Sequence, residues 1–183
     1  MRLFTGLDLA EPVVRELERL TARLRSTARI HWIPPANLHL TTKFIGEWPD
    51  HRLDELRAAL AGLPPLAPLE IAVRRVGFFP HPHHPRVFWC GIEAPPELAS
   101  LARATEDALA ALGRKREDRA FSPHLTLARI KEPVNLEALR EAIATLPSLD
   151  FGAFTARAFY LYQSRLQPGG AVYTKLAEFA FGT

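Results

Sequence analysis

Two short segments of this chain repeat one another in the residues that could do chemistry. His39-Leu40-Thr41 and His124-Leu125-Thr126 are identical tripeptides, and along a strand residues i and i+2 point to the same face. His39 is therefore expected to project with Thr41, and His124 with Thr126. Two imidazoles and two hydroxyls around one small volume are the parts that phosphoryl transfer on an RNA-like ester requires. One group takes a proton from the nucleophile, a second gives one to the leaving oxygen, and hydroxyls hold the non-bridging phosphate oxygens. Histidine suits both proton roles because its ordinary pKa, about 6.5, lies close to neutrality. The scheme needs no metal. A lone His-Leu-Thr in a strand has an incidental reading, and duplication could have copied a structural tripeptide. A histidine on a packed strand face, however, needs partners for its ring nitrogens, and two copies favour a site.

The elements around the tripeptides are ordered alike in the two halves. Arg2 to Leu9 reads as a short strand. From Pro12 to about Ala28, Val13, Leu17, Leu20 and Leu24 form one helical stripe, with proline in the first turn. NLHLTTKFIGEW is a strand bounded by prolines. Asp50 is expected to cap a helix carrying Leu53, Leu56 and Leu60, and Leu69–Phe79 and Arg86–Ile92 read as strands joined by the loop PHPHHP. In the second half, Pro95–Leu112 is a helix stopped by Gly113. PHLTLARI is a strand, Asn135 caps a helix with Leu136, Leu139, Ile143 and Leu146, and two last strands run through Phe151–Arg165 and Ala171–Phe181. Gln167-Pro168-Gly169-Gly170 makes the hairpin turn between them. One offset of 85 carries His39-Leu40-Thr41 onto His124-Leu125-Thr126, Gly6-Leu7-Asp8 onto Gly91-Ile92-Glu93, and Asp50 onto Asn135. This is the mark of an internal duplication. It predicts one domain over residues 1–183, built of two pseudo-twofold-related lobes of about 1–85 and 86–183, with terminal strands open to exchange between them.

Composition bounds the alternatives. Of 183 residues, 48% are hydrophobic and 23% charged, near globular averages, which excludes disorder and fibrous repeats. A chain of this length buries roughly 70% of its unfolded surface, so its core needs no covalent staple. The single cysteine, Cys90, excludes an internal disulfide. No run approaches 18 apolar residues, and the opening MRLFTGLDLA is not a signal peptide. The expectation is a cytoplasmic protein with no membrane partner, and a monomer. The 23 basic and 20 acidic residues give a net +3, which suits an anionic ligand without the dense patch of an obligate nucleic-acid binder. Seven histidines invite either acid–base chemistry or a metal site.

HLTTKFIGE at 39–47 and HLTLARI at 124–130 resemble the paired motifs of the 2H phosphoesterase superfamily. Within it, the chain resembles the bacterial and archaeal RNA 2′,3′-cyclic phosphodiesterases, also called 2′-5′ RNA ligases. FTGLDL near the start, GFFP…RVFWCGI at 77–92 and LYQSRLQPGGAVYTKL at 161–176 extend the resemblance over essentially the whole chain. It implies a bilobal α+β fold, two antiparallel sheets lining a central cleft with helices outside. It also implies hydrolysis of a 2′,3′-cyclic phosphate at an RNA end to a 2′-phosphomonoester, without metal or other cofactor. By that analogy His124 is general base on water, His39 is general acid to the departing 3′ oxygen, and Thr41 and Thr126 hold phosphate oxygens. Joining of RNA ends by a 2′-5′ linkage would be secondary. The partners implied are RNA ends or cyclic nucleotides, tRNA fragments among them.

Other residues carry weaker signals. By simple alternation Lys43 lies on the cleft face, where it could neutralise phosphate or stand as a solvated rim lysine. Alternation puts Arg129 on the opposite face, although a strand end or bulge could turn it inward, and the family's second motif has a basic residue near there. Phe44 is expected in the core. Phe78, Phe79 and Trp32 could stack RNA bases or pack in the core. His81, His83 and His84 offer a His-x-His chelate, but no cysteine or carboxylate lies in that loop, and a solvated loop is the plainer reading. His31 and His51 carry no chemistry, and Cys90 reads as buried filler. The run Arg114, Lys115, Arg116 and Arg119 is a solvated loop or the border of an RNA path. The rivals to a metal-independent phosphodiesterase are a non-catalytic RNA-binding protein that kept the cleft and a metalloenzyme built on the histidine loop.

Overall fold

Leu3, Thr5 and Leu7 on one face of the first strand, and Phe4 and Gly6 on the other, are all buried, which marks that strand as central. In the computed structural model, which describes residues 1–182, this strand β1 (Arg2–Leu7) lies between β3 (Leu40–Glu47) and β8 (Ala158–Gln167). With β9 (Gly170–Ala180) they form a sheet in the order β3-β1-β8-β9. The second sheet holds β2 (His31–Trp32), β6 (His124–Arg129), β5 (Val87–Glu93), β4 (Leu69–Phe79) and β7 (Asp150–Ala156), in the order β2-β6-β5-β4-β7. Every pairing is antiparallel. The two strands that carry the His-Leu-Thr tripeptides, β3 and β6, pack against each other where the sheets meet.

The helices form because their leucines fall three and four apart, and they pack outside the sheets. α2 (Leu53–Ala61) and α3 (Pro96–Ala111) pack on each other, reaching β9 and β3 of the first sheet. α1 (Glu11–Leu24) lies on β7 of the second, with α4 (Glu137–Ala144) beside it. In α1 the stripe Val13, Leu17, Leu20 and Leu24 is buried as the spacing predicts, and a short 3-10 turn, Arg25–Thr27, finishes it. Gly113, at φ +94°, ends α3 in the left-handed conformation that favours glycine. Asn135, expected to cap α4, lies one residue ahead of the N-cap position, which Leu136 occupies, and its Oδ1 accepts the Glu137 amide at 2.9 Å. Asp50 does not cap: a 3-10 turn, Asp50–Arg52, precedes α2, and the Asp50 carboxylate accepts the N-terminal amine of Met1 at 3.0 Å instead. The fold is α+β, and no helix among the described residues is long and apolar enough to cross a membrane.

Three details depart from the sequence reading. The run Phe151–Arg165 is two strands, β7 and β8, because the chain leaves one sheet and enters the other at Arg157. Each sheet also draws strands from both halves of the sequence: β8 and β9 complete the first sheet, while β2 and β4 belong to the second. The crossing of β8 and β9 is the exchange of terminal strands that the sequence leaves open, and with β2 and β4 also crossing, a cut near residue 85 does not separate the sheets. The third departure concerns register. Gly6 stands opposite Thr41, but Trp89, not Gly91, stands opposite Thr126. The strands flanking the tripeptides thus correspond at an offset of 83, two short of that of the tripeptides, and Gly6, Leu7 and Asp8 match Trp89, Cys90 and Gly91 in space.

Candidate active site

His39 and His124 are held in the same way. A 3-10 turn, Pro35–Asn37, delivers His39 one residue ahead of the β3 ladder, and its Nδ1 lies 2.6 Å from the Asn37 carbonyl oxygen. His124 begins β6, with Nδ1 2.8 Å from the Ser122 carbonyl oxygen. Asn37 and Ser122 are themselves related by the offset of 85. A carbonyl can only accept, so Nδ1 of each ring carries the hydrogen and donates it, which leaves Nε2 as the reactive nitrogen. Neutral, each ring presents a lone pair at Nε2; protonated, each presents an N–H there. Asn37 Nδ2 donates to the Ala171 carbonyl at 2.8 Å, which ties the His39 turn to β9. Aromatic rings fix the planes. Phe4 lies against His39 at 4.7 Å between centroids and Tyr173 meets it edge-on at 5.1 Å, while Phe79 meets His124 edge-on at 5.2 Å.

Paired bulges decide what else faces the cleft. Thr5 pairs with Lys43 and Gly6 with Thr41, so Thr42 is an extra residue in β3; likewise Phe88 pairs with Ala128 and Trp89 with Thr126, so Leu127 is extra in β6. One inserted residue resets the alternation beyond it. Thr42 turns into the core, where its hydroxyl and that of Thr5 share a hydrogen bond of 2.8 Å. Lys43, expected in the cleft, follows Thr5 to the helix side, where its ammonium lies 2.5 Å from Glu106 of α3 and 2.7 Å from Glu117. Burial works against that charge, but the two carboxylates outweigh it and raise the Lys43 pKa. Lys43 is therefore spent on structure and leaves the set of phosphate-binding candidates. Phe44, expected in the core, pairs instead with Phe4 on the cleft face and is 49% exposed. Arg129 pairs with Val87 and is exposed on the face of His124 and Thr126, and its charge is felt at His39. The bulge turns Arg129 inward.

Burial pushes the His39 pKa below its ordinary 6.5; the Asn37 carbonyl opposes this, Arg129 adds to it, and Asp8 opposes it. Asp8 is a site residue that the sequence reading left without a role. Its carboxylate accepts the Tyr162 hydroxyl and the Lys175 ammonium, and Lys175 also lies 4.2 Å over the Tyr160 ring. Burial first, then the bond to Asp8, hold the Tyr162 hydroxyl protonated. For Lys175 burial acts against the charge, but Asp8 more than compensates and raises its pKa. Asp8 and these partners fall within FTGLDL and LYQSRLQPGGAVYTKL, except Tyr160, which immediately precedes the latter. Nothing in the spacing joins residues more than 150 positions apart.

The remaining candidates separate cleanly. Phe78 stacks on the buried Phe88 at 5.0 Å, and Trp32 meets Phe88 edge-on while its indole donates to the Ala28 carbonyl, so both serve the core. Phe79 bridges Trp89 and His124. Trp89 in turn lies flat over Gly77, where a Cβ would come within 2.3 Å of the indole ring. His81, His83 and His84 are exposed in their loop, and no group of three His, Cys, Asp or Glu side chains among the described residues is placed to hold a metal ion. His31 and His51 are exposed. Cys90 is buried, and burial pushes its thiol up to about 12, which removes it as a nucleophile. In the basic run, Arg116 pairs with Asp107 and Arg114 donates to the Ile45 carbonyl, whereas Lys115 and Arg119 have no ion pair among the described residues.

The chain is similar in sequence and fold to known proteins. The family model described as LigT like phosphoesterase matches twice, over residues 7–89 and 92–173. A Methanothermobacter thermautotrophicus protein named RNA 2′,3′-cyclic phosphodiesterase is 33% identical, with 98% of each chain covered. A crystal structure of a Thermus thermophilus protein superposes with a TM-score of 0.84 at 32% identity, covering 99% of this chain and 98% of the other. That of E. coli LigT complexed with 3′-AMP gives 0.77 at 26% identity, covering 100% and 98%.

Proposed function

The chain belongs to the LigT-like phosphoesterase family, and on that premise we propose that it opens the 2′,3′-cyclic phosphate at an RNA end to a 2′-phosphomonoester without a metal. The observation that carries this reading is the matched pair of imidazoles, each with Nδ1 fixed on the carbonyl of the residue two before it and Nε2 left free. His124 Nε2 accepts a proton from water as the oxygen attacks phosphorus. The bond from phosphorus to the 3′ oxygen breaks, and His39 Nε2–H gives its proton to that oxygen. The products are a 2′-phosphomonoester and a 3′-hydroxyl; one proton has entered at His124 and one has left at His39. Exchange with solvent restores both. Thr41 and Thr126 donate to the non-bridging oxygens, and Arg129 balances the charge that builds on them. A 5′-hydroxyl in place of water would yield a 2′-5′ linkage by the same steps, which makes joining a secondary activity.

His39→Ala and His124→Ala are each expected to lower kcat on a 2′,3′-cyclic mononucleotide by about 10² or more, with an unchanged circular-dichroism spectrum. EDTA is expected to leave the wild-type rate unaltered. Near-full activity in either variant, or loss of activity to the chelator, would overturn the reading. A product carrying phosphate at the 3′ position would reverse its direction.

A further inference from the structure

His39 and His124 are anchored alike at Nδ1, but their anchors are not equally supported. The Asn37 carbonyl belongs to a 3-10 turn in which the Asn37 and Leu38 amides donate to the Pro34 and Pro35 carbonyls at 2.8 and 3.2 Å, and the Asn37 side chain reaches β9. Ser122 has no such turn. From Lys115 to Pro123 the chain is neither helix nor strand and makes no backbone-to-backbone hydrogen bond among the described residues. Phe121 packs against the core, and polar side chains hold the rest. Lys43 of β3 lies 2.5 Å from Glu106 and 2.7 Å from Glu117, and Glu106 also accepts the Glu117 amide at 2.9 Å. The Lys43 side chain is only 12% exposed, so solvent screens these charges little. Burial works against the Glu106 charge, but the bonds from Lys43 and the Glu117 amide outweigh it and lower its pKa. Upstream, Arg52 donates to the Leu112 carbonyl and Arg114 to the Ile45 carbonyl, which clamps the start of the loop to the first lobe. The strand that follows His39 thus holds the loop that orients His124.

We propose that Lys43 is a positioning residue for His124: by bridging Glu106 and Glu117 it fixes the approach to Ser122, whose carbonyl sets the tautomer and plane of the His124 ring. The inference rests on the cyclic phosphodiesterase reading, in which His124 Nε2 takes the proton of water. The route is short. Ser122 follows Glu117 by five residues, and Pro123, with its fixed φ, passes the direction of Ser122 on to His124. Removing the ammonium leaves the Glu106 and Glu117 carboxylates facing each other, and like charges push the loop away from β3. Without the Ser122 carbonyl the His124 ring is free to carry its hydrogen on Nε2, where it cannot accept the proton of water. A reacting group displaced by about 1 Å loses up to about 10²-fold in rate, so the bridge acts on catalysis without touching substrate.

The test compares wild type with Lys43→Met, which keeps an apolar stem and removes the charge, and with Glu117→Gln, which neutralises an exposed carboxylate without opening the core. Nitrogen NMR of the imidazole rings, at a pH where both are neutral, reports which nitrogen carries the hydrogen. In wild type both histidines are expected to carry it on Nδ1. In Lys43→Met, His124 is expected to divide between the two tautomers while His39 keeps its own, and kcat on a 2′,3′-cyclic mononucleotide is expected to fall about tenfold. Glu117→Gln should shift His124 the same way and less far, and it decides the matter alone should Lys43→Met not fold. A His124 that retains Nδ1–H in Glu117→Gln and in folded Lys43→Met overturns the proposal, whatever happens to the rate, because Lys43 then serves stability alone. An equal tautomer change at His39 also overturns it, since that marks a general loosening. Failure of the wild-type protein to open the cyclic phosphate would instead remove the underlying reading, while the tautomers would still decide whether Lys43 positions His124.

Discussion

At the scale of the residue, the reactive groups are tuned by neighbours that lie far away in the chain. His39 sits among Phe4, Tyr162 and Tyr173, and burial favours its neutral form. Its NMR titration is expected below 6.5, to move up in Arg129→Gln, which removes a repelling cation, and to move down in Asp8→Asn, which removes an attracting anion. A shift of either variant in the opposite direction would contradict the placement of these charges. The sign carries over to stability. A native imidazole that resists protonation costs the fold stability as pH falls through the unfolded value near 6.5, and the loss levels off below the native pKa. It carries over to rate as well. If His39 is the acid, kcat/KM declines as pH rises through this lowered pKa, whereas kcat declines at higher pH, because bound anionic phosphate stabilises the imidazolium.

At the scale of the element, the bulges in β3 and β6 select the site's residues. Alternation counted from His39 puts Lys43 in the cleft and Phe44 in the core. One extra residue at Thr42 exchanges them, and the same insertion at Leu127 brings Arg129 in. The β3 bulge is held by the buried Thr5–Thr42 hydroxyl pair. Thr42→Val should strand the Thr5 hydroxyl in the core and cost about 1–3 kcal/mol in urea unfolding, whereas Thr5→Val with Thr42→Val should recover most of that loss. Additive losses in the double variant would mean that the pair does not act as a unit. The motif strands and the four helices were legible because leucine spacing and proline placement are local signals. The bulges were not, because a bulge is a relation between two strands.

At the scale of the whole molecule, the halves that duplication suggests are not the units that pack. β8 and β9, from the end of the chain, complete the sheet that holds β1 and β3 and supply Tyr162, Tyr173 and Lys175 beside His39. β4, from the first half, lies between β5 and β7 in the other sheet. A fragment of residues 1–95 should therefore show no cooperative thermal transition by circular dichroism, since β1 would lose β8 and β4 would lose β7. A sharp transition in that fragment would show that the first half is an autonomous unit.

The amino-acid sequence by itself determined the paired His-x-Thr set, the chemistry such a pair supports, the family it resembles, and most of the helices and strands, because these rest on residue type and spacing along one chain. Only the tertiary structure decided which residues share the cleft with the histidines. Asp8 meets Tyr162 and Lys175 across more than 150 positions, Phe44 and Arg129 reach the cleft through bulges, and Lys43 is drawn off by carboxylates of α3 and its following loop. The physical reason is common to all three. Which face a side chain occupies, and which charge it meets, are set by pairing between strands, and that pairing is fixed only when distant segments bury their apolar faces together.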